Sequence, residues 1–249
     1  MMEKEKNISS ETLSEVKGYI AVVGRTGVGK SSFINTFRGV KKNSKNFARV
    51  GYSVKECTIE LTYYPFKGNK NLKMWDLPGA NTTNFPLATY STDVKMHLYD
   101  AFIMMTSNIF EETDREVLKQ ILKTKRPFYL ARTQTDIILS NKIDDLYDDY
   151  DDNDDVPEAE IWQRLDSFLA EERKKCCELF STIEGLQMPV DVYFLRVKTK
   201  KDFLKKGLWT PDNDKLREKI LKDLPDIQGA ALGSKKGRIK KNKFCFAYF

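Results

Sequence analysis

Gly24-Arg25-Thr26-Gly27-Val28-Gly29-Lys30-Ser31 fits G-x-x-x-x-G-K-[ST], and its flanks have the form that pattern needs. Before it, Tyr19-Ile20-Ala21-Val22-Val23 reads as a buried strand. After it, Ser32 to Arg38 reads as the first turns of a helix that stops at Gly39. The glycines let backbone N–H groups crowd around phosphate oxygens. The helix N-terminus adds unpaired donors and a positive dipole end, so the run through Ser32 is the expected phosphate cradle. Lys30 is expected to reach the β- and γ-phosphates, and the Ser31 hydroxyl to hold Mg²⁺. A glycine-rich turn matching by chance would not need a strand before it and a helix after it.

About 45 residues beyond Lys30, Leu72-Lys73-Met74-Trp75 leads into Asp76-Leu77-Pro78-Gly79. An acidic residue at a strand end with a glycine three on is the second half of a nucleoside-triphosphate site. Asp76 is expected to hold Mg²⁺, directly or through water, and the Gly79 N–H to approach the γ-phosphate. Alone, D-x-P-G is a common turn; the distance from Lys30 makes it specific.

The remaining chain alternates strand and helix. Thr58 to Phe66 alternates with period two and predicts an edge strand, after a polar, basic loop over 40–53 where a nucleotide-sensing switch would lie. Asn81 to Tyr90 reads as a mobile loop. Asp100 to Ser107 is an uninterrupted apolar strand, as in a parallel sheet covered on both faces. A helix is expected over Glu112–Lys125, a strand over Phe128–Arg132, an amphipathic helix over Ala159–Phe180, a strand over Val190–Leu195 and a last helix over Leu216–Leu224. This order implies an α/β doubly wound, mostly parallel sheet with helices on both faces, the P-loop nucleoside-triphosphatase architecture. The P-loop, Asp76 and Asp136 all fall at strand carboxyl ends, so one pocket can contain them.

Composition sets limits. Hydrophobic residues are 41% and charged residues 31% of 249, a soluble globular balance. No apolar run approaches the roughly 20 residues of a membrane span. The N-terminus carries neither a signal-peptide core nor the glycine that myristoylation needs, and Cys245 is misplaced for prenylation. The four cysteines lack zinc spacing and read as reduced thiols. The net charge of +6 resides in Lys235, Lys236, Arg238, Lys240, Lys241 and Lys243; without them the chain is balanced, which argues against a nucleic-acid partner. That basic run precedes Phe244-Cys245-Phe246-Ala247-Tyr248-Phe249, a combination that suits either an irregular chain end or peripheral contact with an anionic membrane. Eight aspartates between Asp144 and Asp155 lack the glycine of a calcium loop and read as a solvated insertion. The single histidine, His97, reads as a surface or packing residue.

Thr133-Gln134-Thr135-Asp136 bears on the base. Guanine presents N1–H and N2–H₂ side by side, two donors for one carboxylate, whereas adenine presents an acceptor at N1. Two charge-assisted bonds of about 1.5–3 kcal/mol each discriminate strongly. Guanine-binding proteins usually carry [NT]-K-x-D here. Gln134 replaces the lysine whose stem would cover the base, so weaker binding with guanine preference kept is expected. An ATP-using kinase would require Asp136 to be incidental.

Gly24–Phe37, Glu56-Cys57-Thr58, Trp75-Asp76-Leu77-Pro78-Gly79, Thr83-Asn84-Phe85-Pro86 and Phe128-Tyr129-Leu130-Ala131-Arg132-Thr133 together resemble the immunity-related (interferon-inducible) GTPases. The tryptophan before D-x-P-G and the Thr-Asn-Phe-Pro after it are not general GTPase features. The resemblance covers roughly residues 18–225. It implies GTP binding with Mg²⁺ and slow hydrolysis to GDP. It also implies self-association through the G domain, or association with other family GTPases, and cytoplasmic defence at intracellular membranes. By position it assigns Thr58 as the switch threonine and a further metal ligand, Lys30, Thr58 and Gly79 as the catalytic set, and Arg196 to the last base-contact loop, where the family usually has Ser-Asn. Ala80 follows Gly79 where a glutamine could orient water, so catalysis is expected to need groups from a partner subunit or the nucleotide. The alternative is a guanine-nucleotide-binding module that no longer turns over. Three segments are expected: an arm or short helix over 1–17, the G domain over 18–225, and the tail over 226–249. Only these last 24 residues stand where the family continues into a helical domain, which is expected to be truncated here.

Overall fold

The computed structural model describes residues 18–50, 61–67, 69–147, 158–187, 190–195 and 211–223. Among the described residues, six strands form one sheet in the order β2-β3-β1-β4-β5-β6. They are β1 (Gly18–Val23), β2 (Thr62–Phe66), β3 (Asn69–Asp76), β4 (Ala101–Thr106), β5 (Phe128–Arg132) and β6 (Val192–Phe194). β2 runs antiparallel to β3, and every other pairing is parallel. Pro65 is tolerated in β2 because this is an edge strand; the register slips beside it, between Pro65 and Phe66.

Side-chain alternation divides the strands between two cores. Ile20 and Val22 of β1, Ile103 and Met105 of β4, and Tyr129 of β5 face one way. There they meet Phe33, Ile34 and Phe37 of α1 (Lys30–Arg38) and Leu216 and Ile220 of α6 (Asn213–Lys222). Ala21, Val23, Phe102, Met104 and Leu130 face the other way. Against them lie the one-turn helix α2 (Tyr90–Asp93), α3 (Glu112–Lys123), α4 (Thr135–Tyr147) and α5 (Glu158–Ser181). Both faces are covered, which is why β4 could be apolar throughout. The chain leaves β1 toward β3 on one side and returns to β4 on the other, so the carboxyl end of β1 is a topological switch point, where ligands bind in this architecture.

Several expectations change in extent. The edge strand begins at Thr62; residues 51–60, including Thr58, lie outside the described residues. The last helix starts at Asn213, three residues earlier than expected, with Asp212 at its N-cap position and Leu216 N–H donating to Asp212 O. The loop expected over Asn81 to Tyr90 is built of turns. Thr82 and Phe85 exchange backbone hydrogen bonds, and the buried Tyr90 hydroxyl donates to Pro78 O at 2.8 Å. α4 is the element that sequence reading missed. Leu139, Ile143 and Leu146 bury one stripe of it, but the adjacent Ile137 and Ile138 blur the period and aspartates crowd its end. It runs through Asp144 and Asp145 of the expected acidic insertion; residues 148–157 lie outside the described residues. His97 is exposed in a 3₁₀ turn, Met96–Leu98. Among the described residues no helix is long and apolar enough to cross a membrane.

Candidate nucleotide site

The loop between β1 and α1 is shaped by close approach. Gly24 has φ +148°, and a Cβ there would stand 2.2 Å from Met105 O, so only glycine fits between β1 and β4. α1 starts at Lys30 without a side-chain cap. A helix N-terminus that directly follows a glycine-rich loop is a ready anion site. Lys30 is 7% exposed, and its Nζ donates to Gly24 O at 2.9 Å and Arg25 O at 2.8 Å. Burial lowers its pKa to about 8, against the opposing pull of Asp76.

The Ser31 hydroxyl donates to Asp76 Oδ2 at 2.6 Å. Asp76 closes β3 and is 2% exposed, and its Oδ1 is buried with no hydrogen-bond partner among the described residues. Burial raises its pKa to about 6, while the Ser31 hydrogen bond and the Lys30 charge pull it down. A hydroxyl and a carboxylate side by side, with one carboxylate oxygen unused, are the hard oxygen donors that Mg²⁺ takes from a protein when phosphates and waters supply the rest. The residues present fit that ion.

The turn after Asp76 is stitched to the loop. Leu77 N–H donates to Val22 O at 3.2 Å, Ala80 N–H to Gly24 O at 3.3 Å, and Arg25 pairs with Ala80 in a parallel bridge. A Cβ on Gly79 would stand 1.9 Å from Thr26 Oγ1 and 2.7 Å from Thr26 N. Thr26 and Gly27 are exposed at the loop's crest, and Val28 is buried beneath it. Val28 O accepts the Thr133 hydroxyl at 2.7 Å, and Thr106 O lies 3.0 Å from the same hydroxyl. Thr133, fully buried at the end of β5, thus fastens the next loop to the P-loop.

Gln134 adopts φ +60°, an uncommon conformation for a side-chain-bearing residue. The Asn108 amide supports it: with nitrogen facing the backbone, Nδ2 lies 3.2 Å from Thr133 O and 3.1 Å from Gln134 O. Asp136 is half-buried in the first turn of α4, three residues beyond that fastening. Gly24 to Ser32, Asp76, Gly79 and Thr133 are therefore held together by direct contacts, with Gln134 and Asp136 following on the same loop. Thr58 and Arg196 lie outside the described residues.

The Arg25 side chain is bound to the loop between β4 and α3. Nε donates to Asp114 Oδ2 at 3.0 Å, Nη1 to Glu111 Oε1 at 2.5 Å, and Nη2 to Ser107 Oγ at 3.1 Å and Ile109 O at 2.9 Å. Sequence reading missed Asp114. Its signal was present: Glu111 and Asp114 have capping-box spacing before the apolar period of α3, and both halves of the box form.

The fold and this geometry define a P-loop nucleoside-triphosphatase domain. The interferon-inducible GTPase (IIGP) family model matches residues 2–235, and the chain belongs to that family. It is 40% identical over 139 residues to interferon-inducible GTPase 1 of Mus musculus, an alignment covering 56% of this chain and 32% of that protein. It is 38% identical over 144 residues to T-cell-specific guanine nucleotide triphosphate-binding protein 2 of Mus musculus, covering 57% and 34%. The chain thus spans about a third of the length of these relatives. Among solved structures, the FeoB G-domain from Methanococcus jannaschii aligns at 17% identity and TM-score 0.44, covering 84% of this chain and 97% of that one. The fold assignment rests on strand order and the P-loop rather than on that alignment.

Proposed function

We propose that this chain is a Mg²⁺-dependent guanine-nucleotide-binding domain that hydrolyses GTP to GDP slowly when alone. The observation that carries the reading is the convergence of Lys30, the Ser31–Asp76 pair and the Thr26–Gly79 contact at the carboxyl end of β1. Lys30 exchanges the carbonyls of Gly24 and Arg25 for phosphate oxygens, whose negative charge counteracts the lowering of its pKa by burial. Ser31 and Asp76 would hold Mg²⁺, which when bound would neutralise phosphate charge. The Gly79 N–H approaches the γ-phosphate, Thr58 completes the switch, and Asp136 reads guanine with Gln134 and Arg196 around the base, on a loop that the buried Thr133 holds to the P-loop. Ala80 offers no group to orient water, so a partner subunit, a second copy or another family member, or the nucleotide supplies it. Family membership supports interferon-inducible defence; on this reading the site of action is an intracellular membrane, with the basic, aromatic tail supplying peripheral contact from the cytoplasm.

Titration with fluorescent GDP, GTP and ATP in Mg²⁺ tests the binding step. Guanine-selective saturation is expected; equal binding of ATP would refute the role of Asp136. Phosphate release per protein should rise with protein concentration if self-association completes the site. A second reading, a binding module without turnover, is favoured by Gln134 standing where the lysine is usual. It predicts guanine-selective binding with no phosphate release at any protein concentration.

A further inference from the structure

Arg25 lies within the phosphate loop, yet its guanidinium is fully engaged outside it. Asp114, which takes its Nε, is 0% exposed; it also accepts the Glu111 backbone N–H and the Thr106 hydroxyl, each at 3.1 Å. Glu111 is half exposed, so its ion pair contributes little. The Asp114 pair is different, because withdrawing Arg25 would take from a fully buried carboxylate its direct ion-pair partner. That asymmetry keeps the side chain where it is and argues against its swinging onto a phosphate. The backbone of the same residue does two further things. Its carbonyl accepts Lys30 Nζ at 2.8 Å, and it pairs with Ala80, next to Gly79. One residue therefore touches the phosphate lysine, the γ-phosphate turn and the loop that opens α3.

We infer that Arg25, clamped by Asp114, is a positioning residue that fixes the curvature of the phosphate loop and so the placement of Lys30 and Gly79. The clamp sets the loop before nucleotide arrives, which lowers the ordering cost of binding. Its consequence for nucleotide rests on the proposed reading of the site; its effect on the loop does not.

Two measurements separate these. Hydrogen–deuterium exchange of residues 24–31 is followed in the nucleotide-free protein, and release of fluorescent GDP is followed by stopped flow. Arg25→Ala alone strands Asp114 and can unfold the chain, so the informative variant is Arg25→Ala with Asp114→Asn, which removes both charges. It should exchange the loop amides and release GDP at least about tenfold faster than wild type, with Arg25→Lys falling between because an ammonium lacks the planar fork. Loop exchange within about twofold of wild type in the folded double variant overturns the inference, whatever nucleotide does. Loss of hydrolysis with exchange and release unchanged also overturns it, and makes Arg25 a transition-state group. If wild type binds no GDP, the proposed function falls, and the exchange result alone decides the positioning role.

Discussion

Replacing Gly79 by alanine should disconnect the turn proposed to meet the γ-phosphate from the P-loop while leaving the proposed diphosphate site in place. The added Cβ would lie 1.9 Å from Thr26 Oγ1, 2.7 Å from Thr26 N and 2.8 Å from Thr26 Cα. The hydroxyl can rotate away, but the backbone atoms cannot. Against an ordinary contact of at least 3.4 Å, the two backbone shortfalls are 0.7 and 0.6 Å, so the turn must retreat by about that much. The Ala80 N–H to Gly24 O hydrogen bond, already 3.3 Å, then stretches to about 4 Å and is lost. Overpacking of this kind costs about 1–3 kcal/mol of stability. The larger effect is on ligand choice. A charge-assisted N–H bond to the γ-phosphate is worth about 1.5–3 kcal/mol, so affinity for a non-hydrolysable GTP analogue should fall roughly 10- to 150-fold. GDP has no γ-phosphate, and its affinity should barely move. Titrating both ligands calorimetrically gives the ratio directly. Thr26→Ala combined with Gly79→Ala removes only the hydroxyl contact and should not restore it. An unchanged triphosphate-to-diphosphate ratio in Gly79→Ala would refute the argument, because the steric conflict is with backbone.

Asp136→Asn should shift preference from guanine toward xanthine nucleotides, whose 2-oxo group accepts from the new amide; competition binding with unaltered guanine preference would remove Asp136 from the base site. Asp76→Asn should stabilise the nucleotide-free protein. Burial raises the folded pKa from 3.8 to about 6, so the ionised form costs stability that sets in as pH rises through this window. The cost is absent below about pH 4 and reaches about 3 kcal/mol above pH 6. Urea unfolding of the variant should therefore show a gain of up to that size at neutral pH, vanishing near pH 4, together with loss of stabilisation by Mg²⁺ and GDP; a variant less stable than wild type at neutral pH would contradict the assignment of burial as the dominant cause. Thr133→Val should cost about 1–3 kcal/mol in urea unfolding, because it leaves the buried Val28 carbonyl without the hydroxyl, and a cost below about 0.5 kcal/mol would show that the fastening is incidental.

The architecture and much of the candidate site were legible in the chain alone, because both depend on local rules. An uninterrupted apolar β4 implies a sheet covered on both faces, and a glycine-rich run between strand and helix implies a phosphate cradle whichever tertiary contacts follow. α4 was not legible, because its apolar stripe needed a core to separate Leu139, Ile143 and Leu146 from the exposed Ile137. Nor could sequence decide what each loop residue does with its side chain. Arg25 sits in the motif, but the motif assigns its side chain no partner; only the approach of α3 supplies a buried carboxylate for the guanidinium. Thr133 reads as a base-loop residue, and only the packing of β5 beside β4 brings its hydroxyl to Val28 O. Sequence by itself determined which chemical groups gather at the carboxyl ends of the strands. The tertiary structure decided which of those groups are held against one another, because hydrogen bonds and ion pairs between loops some 80 to 105 residues apart depend on distances that no local pattern encodes.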